Sequence, residues 1–260
     1  MLRTRVIPCL LLRNSSLVKT ERFSKPRYLG DPINAVKIFN DKGADELVFL
    51  DISATEAGRE PAFDLVASIA SECFMPFAYG GGISTLEHAK KLIELGAEKV
   101  ILNHAAIKNP QLVTLLAKEL GSQSVVVSID AKKNLFGSYK VFIKRGTTNT
   151  KRSPVELAKE MEERGAGEIF LNAIHRDGTM QGYDLDLIQE VASQIEIPLV
   201  ASGGAGALED FSSAQAVGAS GVSAGAFFVY QGVHKAFLIH YPPEEALQEL
   251  LGESSAYAIP

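Results

Sequence analysis

Three aspartates follow apolar segments that have the pattern of buried strands, and they are the first candidates for chemistry. Asp51 ends the run Val48-Phe49-Leu50, Asp130 directly follows residues 125–129, and Asp177 lies in a loop before a glycine. A carboxylate at the rim of an apolar environment can have its pKa raised by desolvation, which suits general acid–base catalysis. Each of the three has an ordinary alternative as a helix cap or a surface charge. We take all three as candidate catalytic residues.

Two glycine turns, each placed between an apolar strand and a helix start, are the second candidate feature. The first contains Gly81 and Gly82, and the second contains Ser202, Gly203 and Gly204. A glycine step into a helix N-terminus exposes backbone N–H groups at the positive end of the helix dipole, where phosphate binds. The ordinary alternative is a tight turn with no ligand. Two such turns predict a ligand with a phosphate at each end.

The elements that must position these residues follow a duplicated pattern. Segments separated by one constant offset have similar sequences. The pairs are 75–83 and 197–205, 43–46 and 165–168, and 96–97 and 218–219. Eight apolar, β-branched runs alternate with helical segments along the chain, which predicts a parallel sheet closed into a barrel. We therefore predict an α/β protein with one (β/α)8 TIM barrel domain over residues 1–260, built from half-barrels of about 1–122 and 123–260.

A long polar loop is predicted between the first strand and the first helix, over residues 13–28. It carries Lys19, Arg22, Lys25 and Arg27, a cluster that suits an anionic substrate, although a solvated loop is the plain alternative. The first helix is expected to begin at Asp31-Pro32, with the aspartate as N-cap and the proline at the first helical position.

Composition excludes several classes of function. The formal charge of −5 and the absence of a basic block argue against nucleic acid and anionic membranes as partners. No apolar run reaches the ~18 residues that a membrane span needs, and the N-terminus does not resemble a signal peptide. Cys9 and Cys73 lack metal-like spacing and are expected to be reduced core residues of a cytoplasmic protein, with no metal site and no cofactor.

Long motifs in order along the chain resemble the cyclase subunit of imidazole glycerol phosphate synthase. They are Ile7-Pro8-Cys9-Leu10, Lys19, Gly30-Asp31-Pro32, 45–52, 80–83, Ile129-Asp130, 164–169, Arg176-Asp177-Gly178, Gly182-Tyr183-Asp184 and 201–205. The resemblance covers almost the whole chain. It implies a (β/α)8 barrel, a substrate with two phosphate ends, and a separate glutaminase subunit that feeds ammonia through the barrel from its N-terminal face.

The resemblance also implies roles for individual residues. Asp130 matches one of the two catalytic aspartates of the family, and Lys19, which is part of the resemblance, is a further candidate catalytic residue. The phosphate-binding positions correspond to Gly81, Gly82, Asn103, Ser202, Gly203, Gly204 and Gly225. The charged gate at the bottom of the barrel corresponds to Arg5, Glu46, Lys99 and Glu168. Independently of the resemblance, two acids and two bases at the starts of strands favour charge pairing.

The chain departs from the family at substrate-facing positions. The first catalytic aspartate of the family, at the end of strand one, is replaced by Leu11. Hydroxyl residues expected after Asn103 and in the strand-eight turn are replaced by His104 and Ala226. Because leucine neither donates nor accepts a proton, a step that needs two carboxylates loses one of them.

Three hypotheses for function follow. In the first, the chain resembles a branch of the family associated with surface-polysaccharide genes. There the barrel and its glutaminase supply ammonia for converting an N-acetyl group of a nucleotide-linked sugar into an acetamidino group, with a further sugar amidotransferase. In the second, the chain remains a histidine-pathway cyclase that acts on a bisphosphate intermediate. In the third, it is a non-catalytic scaffold subunit, against which the retained Asp130, Lys19 and glycine turns argue.

Overall fold

The computed structural model describes residues 4–134, 137–232 and 234–252. Its strands are β1 (Arg5–Arg13), β2 (Ser16–Glu21), β3 (Ser24–Gly30), β4 (Leu47–Asp51), β5 (Phe77–Gly80), β6 (Lys99–Leu102), β7 (Val125–Lys133), β8 (Tyr139–Ile143), β9 (Thr148–Asn149), β10 (Glu168–Ala173), β11 (Leu199–Ser202), β12 (Gly221–Ala224), β13 (Tyr230–Gln231) and β14 (Ala236–Phe237). Its helices are α1 (Pro32–Asp41), α2 (Phe63–Glu72), α3 (Leu86–Glu94), α4 (His104–Lys108), α5 (Gln111–Leu120), α6 (Pro154–Glu163), α7 (Leu185–Ala192), α8 (Glu209–Ala216), α9 (Ala226–Val229) and α10 (Glu244–Leu251).

Eight parallel strands close into a barrel, which confirms the predicted (β/α)8 fold. The hydrogen-bonded order is β1, β4, β5, β6, β7, β10, β11 and β12, and β12 pairs again with β1. Helices follow the strands and cover the outside of the barrel. The division into two half-barrels stays a prediction.

The alternation of side chains along each strand sorts them into two cores. One face of β1 sends Val6, Leu10 and Leu12 outward to pack under the helices. The other face sends Ile7 and Cys9 into the barrel, where they meet inward-facing residues of the other strands. These are Val48, Ala78, Ile101, Val126, Phe170 and Val200.

Helix starts follow the local signals in the sequence. The Asp31 carboxylate accepts hydrogen bonds from the backbone N–H groups of Ile33 and Asn34 at the start of α1, and Pro32 occupies the first turn as predicted. Ser153 and Glu156 form a capping box at the start of α6. Each cap fixes the residue at which the loop ends and the helix begins.

The predicted loop over residues 13–28 was wrong. The chain there forms β2 and β3, an antiparallel hairpin in which β2 pairs with the upper part of β1. Leu17 and Val18 of β2 are buried opposite Leu12 and Leu11 of β1, and such cross-strand apolar pairs stabilise a strand. We call β2–β3 the strand-one hairpin and β13–β14 the strand-eight hairpin. No helix in the described part of the chain is long and apolar enough to cross a membrane.

Candidate functional site

A pocket opens at the carboxyl ends of the barrel strands, where active sites of this architecture lie. The predicted site residues that line it are Lys19, Asp51, Gly81, Gly82, Asn103, Asp130, Asp177, Ser202 and Gly225. Gly203 and Gly204 follow Ser202 but are outside this lining. The structure therefore gathers most of the predicted catalytic and phosphate-binding residues at one rim.

Asp130 lies near the end of β7 and is almost fully buried. The amide of Asn103 donates a hydrogen bond of 3.2 Å to its Oδ2 and a second one of 2.9 Å to the carbonyl of Ser128. Burial, together with the charge of Asp177, raises the pKa of Asp130 from 3.8 to about 7, although the bond from Asn103 acts in the opposite direction. A carboxyl group with this pKa can both take up and release a proton near neutral pH.

Lys19 and Asp177 form a buried ion pair above the pocket floor. The Lys19 ammonium lies 2.9 Å from Asp177 Oδ1, and the hydroxyl of Thr20 donates to Oδ2 at 3.3 Å. The backbone N–H of Arg22 donates to the Asp177 carbonyl at 2.9 Å. These contacts fasten the strand-one hairpin to the loop after β10, so the hairpin lies over the mouth of the barrel.

Asp51 lines the pocket, but its Oδ1 accepts hydrogen bonds from the loop that follows it. Oδ1 accepts hydrogen bonds from the backbone N–H groups of Ser53 and Ala54 and from the Ser53 hydroxyl, at 2.7–3.0 Å. Arg59 lies 3.8 Å from the other oxygen. This carboxylate is positioned as a loop anchor next to the glycine turn at Gly81.

Leu11 occupies the inward-facing position of β1 directly above Cys9. It packs against the inner core and lines the pocket, as does Leu50, its partner on β4. Burial raises the pKa of the Cys9 thiol to about 12, so this side chain stays a neutral thiol. Cys9 and Cys73 are both free, as expected, although Cys73 is only half-buried. The strand-one side of the pocket is therefore apolar.

The two glycine turns need glycine for steric reasons. Gly81 has φ +114°, and a Cβ there would overlap the backbone carbonyl of Asp51. Gly204 has φ +127°, and a Cβ there would overlap the carbonyl of Gly182. Since L-residues avoid these angles, both turns depend on glycine whether or not an anion binds.

Sequence reasoning missed several residues that line the pocket. Lys144 and Arg145, in the turn after β8, contribute positive charge, and Arg145 pairs with Glu56 at 2.9 Å. Phe23 reaches the pocket from the tip of the strand-one hairpin. The basic pair after the apolar run Tyr139–Ile143 was the available sequence signal, whereas nothing local indicated Phe23.

His104 also faces this part of the pocket. Its Nδ1 is buried without a hydrogen-bond partner among the described residues, and burial together with Lys108 and Lys144 lowers its pKa. The side chain is therefore a neutral imidazole at neutral pH. It places an imidazole ring at the start of α4, where the resemblance implies a hydroxyl side chain.

A second network outside the pocket joins the start of β8 to the loop between β10 and α7. Asp184, the N-cap of α7, accepts a 2.6 Å hydrogen bond from the Tyr139 hydroxyl and lies 3.0 Å from Nε2 of His175. Burial opposes the charge on Asp184, but the bonds from His175 and Tyr139 outweigh it and lower its pKa to about 2. This network braces the loop that carries Asp177.

The four residues predicted as a gate form one ring at the opposite end of the barrel. Arg5 bonds to Glu46 and Glu168, and Lys99 lies 3.0 Å from a carboxylate oxygen of each. Burial opposes the charge on Arg5, but Glu168 and Glu46 outweigh it and raise the pKa of the guanidinium. Every charge in the ring therefore has two partners of opposite sign.

No group of three or more His, Cys, Asp or Glu side chains in the described residues is arranged to hold a metal ion.

Known proteins resemble the chain over nearly its full length. A Pseudomonas aeruginosa protein with the provisional name imidazole glycerol phosphate synthase subunit hisF2 is 51% identical over 243 residues, 93% of this chain and 97% of its own. A Vibrio vulnificus protein, provisionally named subunit hisF3, is 48% identical over 96% of this chain and 97% of its own. The imidazole glycerol phosphate synthase subunit HisF of Exiguobacterium sibiricum is 45% identical over 88% of this chain and 91% of its own. Residues 5–235 also match the family described as histidine biosynthesis protein. The chain thus belongs to the histidine biosynthesis protein family, together with relatives named as HisF subunits of imidazole glycerol phosphate synthase.

Proposed function

We propose that this chain is the ammonia-accepting barrel subunit of a glutamine amidotransferase complex whose ammonia serves acetamidino-sugar formation in surface-polysaccharide biosynthesis. A separate glutaminase subunit binds the N-terminal face, and the acceptor is a nucleotide-linked sugar handled with a further amidotransferase. The observation that carries the proposal is Leu11, an apolar side chain at the pocket position where the resembling cyclases have a catalytic aspartate.

The barrel interior supports passage of a small neutral molecule. The charged ring closes its lower end with paired charges, and above it the lumen is lined by short or apolar side chains such as Cys9, Ala78 and Val126. Ammonia is small and uncharged, so it loses little hydration energy in such a lumen, whereas ammonium carries a charge that is costly to bury. The ring and the lumen together suit delivery of ammonia rather than ammonium.

The pocket supports a change of chemistry at the upper end. Cyclisation with two carboxylates needs one group to donate a proton while the other accepts one. Asp130 is present, but the opposite wall consists of Leu11 and Leu50, and Lys19 is engaged by Asp177. His104, at the start of α4, lines the same pocket next to Asn103, a predicted phosphate-binding residue.

The alternative function is the histidine-pathway cyclase, which makes imidazole glycerol phosphate and an aminoimidazole carboxamide ribotide from a bisphosphate intermediate and ammonia. Retention of Asp130, Lys19 and both glycine turns favours it. In this reading another group must replace the missing acid.

The deciding experiment measures cyclisation of the histidine-pathway bisphosphate intermediate with saturating ammonium salt, so that no partner is needed. We expect negligible conversion by the unmutated chain, because general acid–base assistance is worth ~10²–10⁴-fold in rate. Leu11→Asp is expected to restore measurable conversion, since Lys19 and Asp130 are in place, whereas Leu11→Asn supplies a similar shape without the proton chemistry. An ordinary enzymatic rate of ~1–10³ per second by the unmutated chain would restore the histidine-pathway function.

A further inference from the structure

Four polar residues occupy matched positions on four neighbouring strands of the barrel. In the sheet register Asp130 of β7 is matched with Asn172 of β10. Asn172 is matched with Ser202 of β11, and Ser202 is matched with Ser223 of β12. Matched residues on parallel strands point to the same face of the sheet, and neighbouring strands lie about 4.8 Å apart. We call these four residues the polar row.

The polar row faces the inside of the barrel. Asp130, Asn172 and Ser202 line the pocket. Ser223 is matched with Ile7, a residue of the inner core, whereas the residues on either side of Ser223 pack in the outer core. All four side chains of the row therefore project into the lumen or into the pocket above it.

The polar row descends from the pocket towards the charged ring. Barrel strands are tilted against the barrel axis, so a row of matched residues changes height from strand to strand. Asp130 lies at the upper end, whereas Ser223 is 0% exposed and stands two residues after Gly221. A Cβ on Gly221 would lie 3.6 Å from Nη2 of Arg5, a member of the ring. The row therefore spans the lumen between the charged ring and Asp130.

Two polar atoms of the row have no hydrogen-bond partner among the described residues. They are Oδ1 of Asn172, which is 8% exposed, and Oγ of the fully buried Ser223. Native proteins keep few such atoms, because an unpartnered buried polar group opposes folding. An amide oxygen only accepts hydrogen bonds, so the partner that Asn172 needs is an N–H or O–H donor. An ionised phosphate or carboxylate group does not satisfy it.

We propose that the polar row binds one molecule of ammonia, or of ammonium when the nitrogen carries a further proton, in the upper lumen. This inference rests on the proposed function, because ammonia is the molecule that the barrel accepts. Both species offer several N–H donors on a single small atom, which suits the Asn172 oxygen and the hydroxyls of Ser202 and Ser223. The Asp130 carboxylate supplies the countercharge for ammonium.

The position of Ser223 favours a ligand of this size. Its side chain is 0% exposed and lies outside the pocket lining, so a hydroxyl of a substrate seated in the pocket does not reach it. Burial and the charge of Asp177 raise the pKa of Asp130 to about 7, so Asp130 is ionised at pH 8 and attracts a cation. The row thus holds the nitrogen beside the carboxylate until the acceptor takes it.

The first test compares thermal unfolding of the full chain in ammonium chloride and in sodium chloride at equal ionic strength and pH 8. A ligand that binds the native state raises the midpoint, and we expect saturating ammonium to raise Tm by about 2–4 °C more than sodium does. Ser223→Ala and Asn172→Leu each remove one unpartnered atom, and each should abolish most of this difference. Ser68→Ala is the control, because Ser68 is exposed on α2, and it should keep the full difference.

The second test locates the ligand by anomalous diffraction from crystals of the unmutated chain soaked in thallium(I) acetate at pH 8. Thallium(I) is close to ammonium in size and charge and binds to the same oxygen ligands. We expect an anomalous peak in contact with Asn172 Oδ1. Ammonium chloride should displace it, whereas sodium chloride should not.

Equal midpoints in the two salts would overturn the site and leave the proposed function standing, because ammonia then crosses the lumen without being held. An ammonium-specific rise that both row variants keep would place the ligand elsewhere and overturn the site as well. A thallium peak that is absent from the row, or that ammonium does not displace, would have the same consequence. The cyclisation assay with Leu11→Asp judges the proposed function separately.

Discussion

The two ends of the barrel hold buried carboxylates in opposite electrostatic settings. At the lower end Glu46 and Glu168 are 4% and 5% exposed, and each faces both Arg5 and Lys99. At the upper end Asp130 is 9% exposed, receives one amide hydrogen bond and faces another carboxylate, Asp177. Similar burial thus gives a stable ion network at one end and a carboxyl group that resists ionisation at the other. The countercharge, and not burial, makes the difference.

The comparison predicts that the same kind of substitution changes the free energy of unfolding in opposite directions at the two ends of the barrel. Replacing a carboxylate by its amide removes charge with little change in shape. At the upper end the charge opposes folding, because the pKa of Asp130 is raised to about 7. At the lower end the charge of Glu168 balances two cations, so its loss leaves them undercompensated.

The largest effect is expected for Asp130→Asn. A raised pKa means that the native state binds more protons than the unfolded state between about pH 4 and pH 7, so the stability of the unmutated protein falls as pH rises through that window. Asp130→Asn should therefore be more stable than the unmutated protein by up to about 4 kcal/mol at pH 8, and equally stable below pH 4. Urea unfolding at several pH values measures the difference.

Asp186→Asn serves as the control for this series, since the side chain of Asp186 is 81% exposed. It should shift stability by less than about 0.5 kcal/mol at every pH. An Asp130→Asn protein that is less stable than the unmutated one at pH 8 would contradict the assignment of an opposing charge at the upper end.

Glycines at the two ends should also differ. Gly81 at the upper rim has φ +114° and no room for a Cβ, so Gly81→Ala is expected to destabilise the protein by about 3 kcal/mol. Gly43, in the loop before β4 at the lower end, has φ +67° and open space around it, so Gly43→Ala should cost about 1 kcal/mol. Equal losses of thermal stability in the two variants would show that the upper turn can relax around a side chain.

The smallest of the three effects is expected for Glu168→Gln. Breaking a buried ion network typically costs ~3–5 kcal/mol, but the Arg5 side chain is 31% exposed, and solvent screening reduces the loss to about 2 kcal/mol. Glu72→Gln is the matched control, because Glu72 pairs with Lys37 at 3.5 Å on the surface. A Glu168→Gln protein as stable as the control would indicate that the ring adds nothing to folding.

The sequence was sufficient to predict residues that owe their position to strand periodicity. Lys99 begins β6 and Asp130 lies in the upper part of β7, and the closed barrel brings equivalent levels of its strands together, so the grouping of each residue with its neighbours followed from the fold. The glycine turns followed from local backbone chemistry, and Asp31 with Pro32 from helix capping.

Features that depend on contacts between distant loops could not be predicted in this way. Residues 13–28 are polar enough to suggest a loop, and their pairing with the upper part of β1 and with each other makes them a hairpin. The network of Tyr139, His175 and Asp184 joins the start of β8 to the loop after β10, and no local pattern indicates the relative positions of these two segments. Asp51 was predicted as a catalytic candidate on its strand-end position alone, and the bonds that its Oδ1 accepts from its own loop became visible only in the structure.

The ion pair between Lys19 and Asp177 joins residues 158 positions apart, and the pair between Arg5 and Glu168 joins residues 163 apart. Both pairs form only after the entropy of closing a very long loop has been overcome. Any state in which only the N-terminal part of the barrel is formed lacks Glu168 and Asp177, so it has neither the complete charged ring nor the Lys19–Asp177 pair. A ligand or partner that binds either end therefore stabilises the closed barrel relative to such states.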